Sequence, residues 1–473
     1  MTKVDNKTLF SEFSPARLFF TAAIPGSVGM LFSSVYQLMD GIMVGRVLGD
    51  TAFAAVNLAM PFVIINFALA DLIGVGSSVP IAHALGRKDD KEANNIFTCA
   101  CIAIVVAGII VGAALFALAR PLMRLMGAEG VLVDYAARYL EVYALLSPVT
   151  TIIFAVDNYL RISGVIRGSL FINILMSLLS MGLEFLFLFV FEWGILGAAL
   201  GTGLGMSIAA IVAFVPFFMK KLPLCFVRPH FTKSVIKTTI SCGMPNFLNN
   251  IAARVASVFM NVLLLRFGGE TAVSVYGVLM YVDGFILPLM YGTCDSLQPA
   301  IGFNWGAGDY KRAFRIEKYC FIACAVVSVA SAAVLFAAPD GISHIFLGEG
   351  SPEIIETARV AIRIFAFTYL VRWVSFAAQS FFLAIGRPLP AGTLSLSISL
   401  VVPLILIPCF YSLELTGLWL NTPVAAVVVA VIAVILLVIF FHKFKTSDPQ
   451  KFSLNHHISP PETSISETEN TEN

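Results

Sequence analysis

Two acidic residues stand inside strongly apolar stretches in the first half of the chain. Asp40 follows Tyr36 by one helical turn, and Glu184 lies between Phe171 and Phe191 with no other charge. An ionisable side chain deep in a bilayer costs about 2.5–3.5 kcal/mol on insertion scales, so such a residue usually has a function. A lone carboxylate there must find a partner on another helix, bind a cation or stay protonated. Asp40 and Glu184 are therefore the first candidates for binding a small cation.

Hydroxyl groups accompany these acids. Ser180 precedes Glu184 by four residues, which puts both side chains on one face of a helix. Thr202, in the next apolar stretch, offers a hydroxyl and a carbonyl oxygen. A threonine in a stretch rich in Gly and Ala serves packing more often than ligand binding, so Thr202 alone is weak evidence.

The second half of the chain carries acids of its own. Asp283 and Asp295 fall in one apolar stretch, and either is a candidate for lining a cavity. Asp157 and Arg161 are four residues apart, a spacing that favours a structural ion pair.

The composition indicates that a membrane surrounds these residues. The 473 residues are 58% hydrophobic and 12% charged, with a mean hydropathy of +0.89, whereas soluble domains are roughly a quarter charged. Stretches of about 20 apolar residues can each cross a bilayer. The predicted spans cover residues 17–45, 52–84, 95–118, 133–162, 167–190, 194–219, 238–267, 272–304, 317–338, 355–386, 391–413 and 418–442.

The loops orient these twelve spans. Most Lys and Arg residues fall in alternate loops, including the central loop 220–237, so the positive-inside rule predicts that both termini are cytoplasmic. Residues 443–473 are polar and rich in Ser, Thr, Glu and Asn, which predicts a disordered tail. The formal net charge of +1 gives no reason to expect a nucleic-acid partner.

The two halves of the chain resemble each other. Matched positions keep one register, and they include the pairs Pro25 with Pro245, Arg46 with Arg266, Gly86 with Gly306, and Asp40 with Met260. Each half holds six spans, so both halves start on the same side of the membrane. The prediction is an all-α integral membrane protein with two six-helix lobes, residues 1–219 and 238–442, related by a pseudo-two-fold axis along the membrane normal.

This repeat favours a transporter. Two similar bundles enclose a cavity that is exposed to each side in turn as they rock, with Pro25 and Pro245 as matched hinge candidates. No phosphate-binding loop and no G-x-S-x-G motif occurs, so an ion gradient is the expected energy source and no cofactor is predicted. The eight cysteines are interpreted as small buried apolar residues.

Several motifs together resemble the multidrug and toxic compound extrusion (MATE) family over residues 12–445. They are Met39-Asp40-Gly41 followed by Gly45-Arg46-Val47-Leu48-Gly49, the run Leu196-Gly197-Ala198-Ala199-Leu200-Gly201-Thr202, and the run from Gln298 to Gly308. The resemblance implies export of amphipathic organic cations or drugs, driven by inward flow of Na⁺ or H⁺. It also implies a monomer in the plasma membrane, with the bacterial inner membrane as the expected location.

The resemblance carries a predicted ion site. By position, the family's ligands fall on Asp40, Ser180, Glu184 and Thr202, with Ala198 offering a carbonyl oxygen. Ser180 replaces an Asn of the family pattern and Glu184 replaces an Asp, which leaves the choice between Na⁺ and H⁺ open. The resemblance also suggests three residues for the wall of this site, Tyr36, Tyr143 and Asn158.

Two other functions remain open. A lipid-linked oligosaccharide flippase of the same superfamily would need a strongly cationic cavity, for which only Arg254, Arg363 and Arg372 are available. A membrane-embedded enzyme acting on lipids would need paired carboxylates at metal-binding spacing. Asp89-Asp90 is the one adjacent acidic pair, and it lies among basic residues.

Overall fold

The computed structural model describes residues 8–347 and 351–446, and all regular secondary structure in this part of the chain is helical. The start of the chain, residues 1–7, and most of the predicted polar tail, residues 447–473, lie outside the described residues. The helices are α1 Pro15–Leu48, α2 Asp50–Gly86, α3 Asp90–Leu125, α4 Val131–Thr150, α5 Ile152–Ile162, α6 Ile166–Phe185, α7 Ile195–Phe218, α8 Lys233–Gly306, α9 Tyr310–Ala337, α10 Pro339–Leu347, α11 Pro352–Ala384, α12 Pro388–Leu396, α13 Val402–Phe410 and α14 Glu414–Thr446.

The described helices make twelve membrane crossings. Two long helical stretches contain two crossings each, because α8 is broken at Gly269 (φ 60°) and a tight turn ending at Glu414 (φ 49°) separates α13 from α14. Conversely, α4 and α5 together form one apolar span. A π-helical turn joins α12 to α13 in the same way. The prediction of twelve transmembrane helices in an all-α protein is confirmed.

The crossings form two six-helix bundles. In the first, α3 packs on α4, α6 packs on α7, and α1 packs on α6. In the second, α11 packs on α9 and on α14, and α8 packs on α9. The bundles meet mainly where α1 and α2 pack against α8.

Glycines allow the two bundles to approach each other at backbone distance. A Cβ on Gly76 of α2 would lie 2.0 Å from the carbonyl oxygen of Thr239, and one on Gly243 of α8 would lie 1.8 Å from that of Leu72. Similarly, a Cβ on Gly86 would lie 2.1 Å from the carbonyl oxygen of Phe303. These contacts lie in the half of each bundle that adjoins the α2–α3 and α8–α9 loops, so the bundles are closed against each other at that end.

Both predicted hinge prolines lie inside a membrane crossing rather than at its end. Pro25 is inside α1 and Pro245 is inside α8, and each helix continues past its proline. A proline removes one backbone hydrogen bond of the helix, which leaves a weak point at matched positions in the two bundles. That either bends during transport stays a prediction.

The substitution Gly76→Ala should destabilise the closed contact between the bundles. The new Cβ would overlap a backbone carbonyl that cannot move without its helix, which costs about 1–3 kcal/mol. Thermal unfolding of the purified protein in detergent should occur at a lower temperature. The matched control is Gly284→Ala in α8, whose Cβ would meet no atom within 4 Å; equal unfolding temperatures for the two variants would contradict this account of the interface.

Candidate functional site

Three helices of the first bundle bring the predicted ion-binding residues together. Asp40 and Tyr36 come from α1, Ser180 and Glu184 from α6, and Thr202 from α7. Asp40 is 8% exposed and Glu184 is fully buried. The sequence placed these residues on separate spans, and the fold gathers them at one point.

Thr202 connects α1, α6 and α7. Its hydroxyl oxygen lies 2.6 Å from the Tyr36 hydroxyl, and it donates to Oδ1 of Asp40 over 3.3 Å. Because Thr202 gives its one hydroxyl hydrogen to Asp40, Tyr36 must be the donor of the shorter bond. The Ser180 hydroxyl donates to the main-chain oxygen of Thr202 over 3.4 Å.

The carboxyl groups of Asp40 and Glu184 lie close enough to interact electrostatically. Both oxygens of Glu184 are buried and accept no hydrogen bond from any described residue. Ionised carboxylates are acceptors only, so the pair has no hydrogen between its oxygens unless one group is protonated. Two ionised carboxylates at this distance repel each other, and burial strengthens the repulsion. A proton or a metal cation between the two groups would relieve this repulsion.

Tyrosines form one wall of this site. Tyr143 of α4 is buried beside Asp40, and its ring lies 5.2 Å from that of Tyr139. Tyr139 was not among the predicted residues. Its position one turn before Tyr143 is the sequence signal that could have identified it.

Small residues of α7 hold α6 close enough to form the site. A Cβ on Gly201 would lie 2.4 Å from the Cα of Glu184, and one on Gly205 would lie 2.4 Å from the hydroxyl oxygen of Ser180. Gly201 and Gly205 are four residues apart, the small-residue spacing that lets membrane helices approach closely. This spacing is visible in the sequence, although it was not used to predict the site.

The oxygen-rich lining suits a hard cation as well as a proton. The described groups are the two carboxyls, three hydroxyls and the Thr202 carbonyl, and all offer the oxygen ligands that such ions prefer. The orphaned oxygens of Glu184 supply unused acceptor capacity at the centre. Ala198 is buried one turn before Thr202, and its carbonyl oxygen stays a predicted ligand.

Asn158 does not share this location, contrary to its predicted place in the wall. It lies 15 residues after Tyr143 on the same span, which separates the two by about 22 Å along the helix axis. There it lines a small cavity between the bundles together with Asp295 and Gln298. Asp295 accepts a 3.0 Å hydrogen bond from Gln298, so its assignment to a cavity fits its position.

The other two cavity candidates of the second bundle, Asp283 and Met260, have different surroundings from Asp295. Asp283 accepts a hydrogen bond from Tyr369 and forms an ion pair with Arg372 at 3.1 Å, so its charge is already compensated within the bundle. Met260 is buried in the core. At the position where the first bundle has Asp40, the second therefore has an apolar side chain. The predicted pair of Asp157 with Arg161 forms, at 2.5 Å.

Comparison with known proteins identifies the architecture. The MatE family model matches residues 25–186 and 245–409, one segment in each bundle. The chain belongs to the MatE family. Because its members are transporters, membership confirms the prediction of a transporter and excludes the membrane enzyme.

Several staphylococcal proteins named multidrug export protein MepA match across most of the chain. The protein of Staphylococcus aureus is 24% identical over 411 residues, covering 85% of this chain and 89% of the relative. That of Staphylococcus haemolyticus is 22% identical over 427 residues, covering 89% and 93%.

Solved MATE structures share the fold. A MATE crystallised in complex with MaL6 has a TM-score of 0.89 at 22% identity, covering 94% of this chain and all of that one. An outward-facing multidrug resistance MATE transporter has a TM-score of 0.88 at 22% identity with the same coverage. The two-bundle layout of this MatE protein is thus that of its structural relatives.

The substitution Gly201→Ala should displace Glu184 from the proposed ion site. Its Cβ would overlap the backbone of Glu184, so α6 and α7 must separate at a cost of about 1–3 kcal/mol. We expect a lower unfolding temperature of the purified protein than for Gly182→Ala. Gly182 lies on α6 beside the site, but a Cβ there meets no atom within 4 Å. If Gly182→Ala is the more damaging change, the packing of α6 on α7 does not position Glu184.

Proposed function

We propose that this chain is an antiporter that exports amphipathic organic cations from the cell in exchange for H⁺ or Na⁺ by alternating access. The observation that carries the proposal is the buried pair of Asp40 and Glu184. Family membership and the multidrug export relatives support the class of substrate.

The exchange follows from the repulsion that a cation between the two carboxyls would relieve. When H⁺ or Na⁺ enters, the charge of the pair is compensated and Thr202 can remain bonded to Asp40. When the ion leaves, two negative charges remain in an apolar bundle, and an organic cation then gains favourable electrostatic interactions with the emptied site. Coupling requires that the ion and the organic cation favour different conformations by a few kcal/mol.

The direction of transport rests on the proposed orientation. With the α2–α3 and α8–α9 loops in the cytoplasm, as their basic residues favour, the glycine contacts close the cytoplasmic end. The described conformation would then face outward, ready to take up the coupling ion from outside. Rocking about α1 and α8, near Pro25 and Pro245, would open the other side.

The flippase alternative receives less support. Of the three arginines that could form a cationic cavity, Arg372 is already paired with Asp283. An anionic pyrophosphate would also be repelled by the carboxyl pair in the first bundle.

Removing either carboxyl should abolish transport. In cells that express Asp40→Asn or Glu184→Gln, efflux of a cationic dye should fall about tenfold or more, because a lost coupling free energy of 1.4 kcal/mol already changes an equilibrium tenfold. Glu129→Gln and Asp134→Asn are matched controls on exposed positions and should transport normally. Normal efflux by both site variants at equal expression would remove the pair from the mechanism.

An imposed gradient identifies the ion. In liposomes that contain the purified protein, a gradient of the coupling ion alone, either Na⁺ or H⁺, should drive dye transport, and a gradient of the other ion should not. Glu184→Gln should lose the response to that gradient. Equal transport with and without both gradients would contradict ion coupling, whatever the effect of the variants in cells.

A further inference from the structure

A second group of buried, unusual side chains lies in the other bundle, away from the proposed transport site. Cys294 of α8 faces Cys320 and Cys324 of α9, with its sulfur 3.4 Å from the first and 3.3 Å from the second. All three sulfurs lie within 4.8 Å of one another, and all three residues are buried. We call Cys294, Cys320 and Cys324 the thiol cluster.

The local sequence explains how the thiol cluster forms. Cys320 and Cys324 are four residues apart, so they lie one above the other on the face of α9 that packs against α8. Cys294 lies on α8, across the helix-helix contact. Spacing along the chain gave no sign of this meeting, since no C-x-x-C pair exists and the third cysteine comes from another crossing.

A carboxylate without a partner accompanies the thiols. Glu317 precedes Cys320 by one turn on the same face of α9 and is 6% exposed. Neither of its oxygens accepts a hydrogen bond from any described residue, although it is close enough to interact electrostatically with all three thiols. A buried carboxylate without a hydrogen-bond partner is costly, and packing of small apolar cysteines does not account for it.

We propose that the thiol cluster and Glu317 form a binding site for one thiophilic divalent cation of the Zn²⁺ class, which ties α8 to α9. Three sulfurs at the usual Zn–S length of about 2.3 Å around a tetrahedral ion are about 3.8 Å apart. Two of the separations in the structure, 3.4 Å and 3.3 Å, are somewhat shorter than this, and the third is at most 4.8 Å, so small rotations of the side chains bring the three sulfurs to these distances. The oxygens of Glu317 lie outside this group of sulfurs, so its side chain turns toward them to supply the fourth ligand.

Charge favours a divalent over a monovalent ion. On binding, three S–H bonds break and their protons leave to water, as does the proton of a neutral Glu317. Three metal–sulfur bonds and one metal–oxygen bond form, with no change of oxidation state. Three thiolates and the Glu317 carboxylate leave a net charge of −2 around Zn²⁺ but −3 around Cu⁺, and excess charge is expensive in an apolar interior. In the proposed orientation the cluster lies in the cytoplasmic half, where thiols stay reduced.

Metal analysis of the purified full-length protein tests this proposal. Protein prepared without chelator should contain about one zinc per chain, and copper measured in the same samples distinguishes Cu⁺. After removal of the metal, titration with Cd²⁺ or Co²⁺ should restore a sulfur-to-metal charge-transfer absorption that saturates at one equivalent. Because this titration uses the wild-type protein, it gives a decision even if the variants fold poorly.

Substitutions assign the ligands. Cys294→Ser and Cys320→Ser should lose the metal and the charge-transfer band, and Glu317→Gln should weaken binding by about tenfold or more. Cys101→Ser and Cys242→Ser are matched controls at buried cysteines outside the cluster and should keep both. Three free thiols with no metal uptake, a disulfide between cluster cysteines, or metal content unchanged in the cluster variants would overturn the proposal. None of these outcomes depends on whether the protein exports drugs.

Discussion

Two carboxyl groups, those of Asp40 and Glu184, are buried side by side in the first bundle. The repulsion between their charges is the constraint from which the proposed mechanism follows. Asp40 receives one hydrogen bond, from Thr202, and Glu184 receives none from the described residues. In the proposed mechanism, a proton or cation between these oxygens relieves the repulsion of the pair. The site therefore has two charge states of very different energy, and a molecule with two bundles can use that difference to change conformation.

Other residues of the first bundle hold this pair in position. Glycines of α7 let α6 come close enough to present Glu184 and Ser180, and Tyr36 on α1 holds the Thr202 hydroxyl in place. The two bundles are chemically unequal at matched positions, since Met260 stands where the first bundle has Asp40. In the proposed mechanism, ion binding therefore acts on one bundle and not on the other.

Much of the fold could be predicted from the sequence, because the bilayer makes apolar length a strong signal. The twelve spans and the two bundles followed from hydropathy and from matched pairs such as Pro25 with Pro245. The convergence of Asp40, Glu184 and Thr202 was predicted through the resemblance to the family rather than from spacing. Asn158 was misplaced, because membrane depth along a span decides which residues can meet. The pairing of Asp283 with Arg372 and the meeting of Cys294 with Cys320 depend on contacts between distant segments, which hydropathy cannot give.

The occupancy of the carboxyl pair in the purified protein is the most direct measurement of the central claim. Infrared difference spectra between wild type and Glu184→Gln, at neutral pH and without Na⁺, report whether a protonated carboxyl is lost on substitution. Binding of radioactive Na⁺ reports the alternative occupant. The account predicts either a protonated carboxyl that disappears in the variant or about one bound Na⁺ per chain that requires Asp40 and Glu184. Two ionised carboxylates with no bound cation would contradict it.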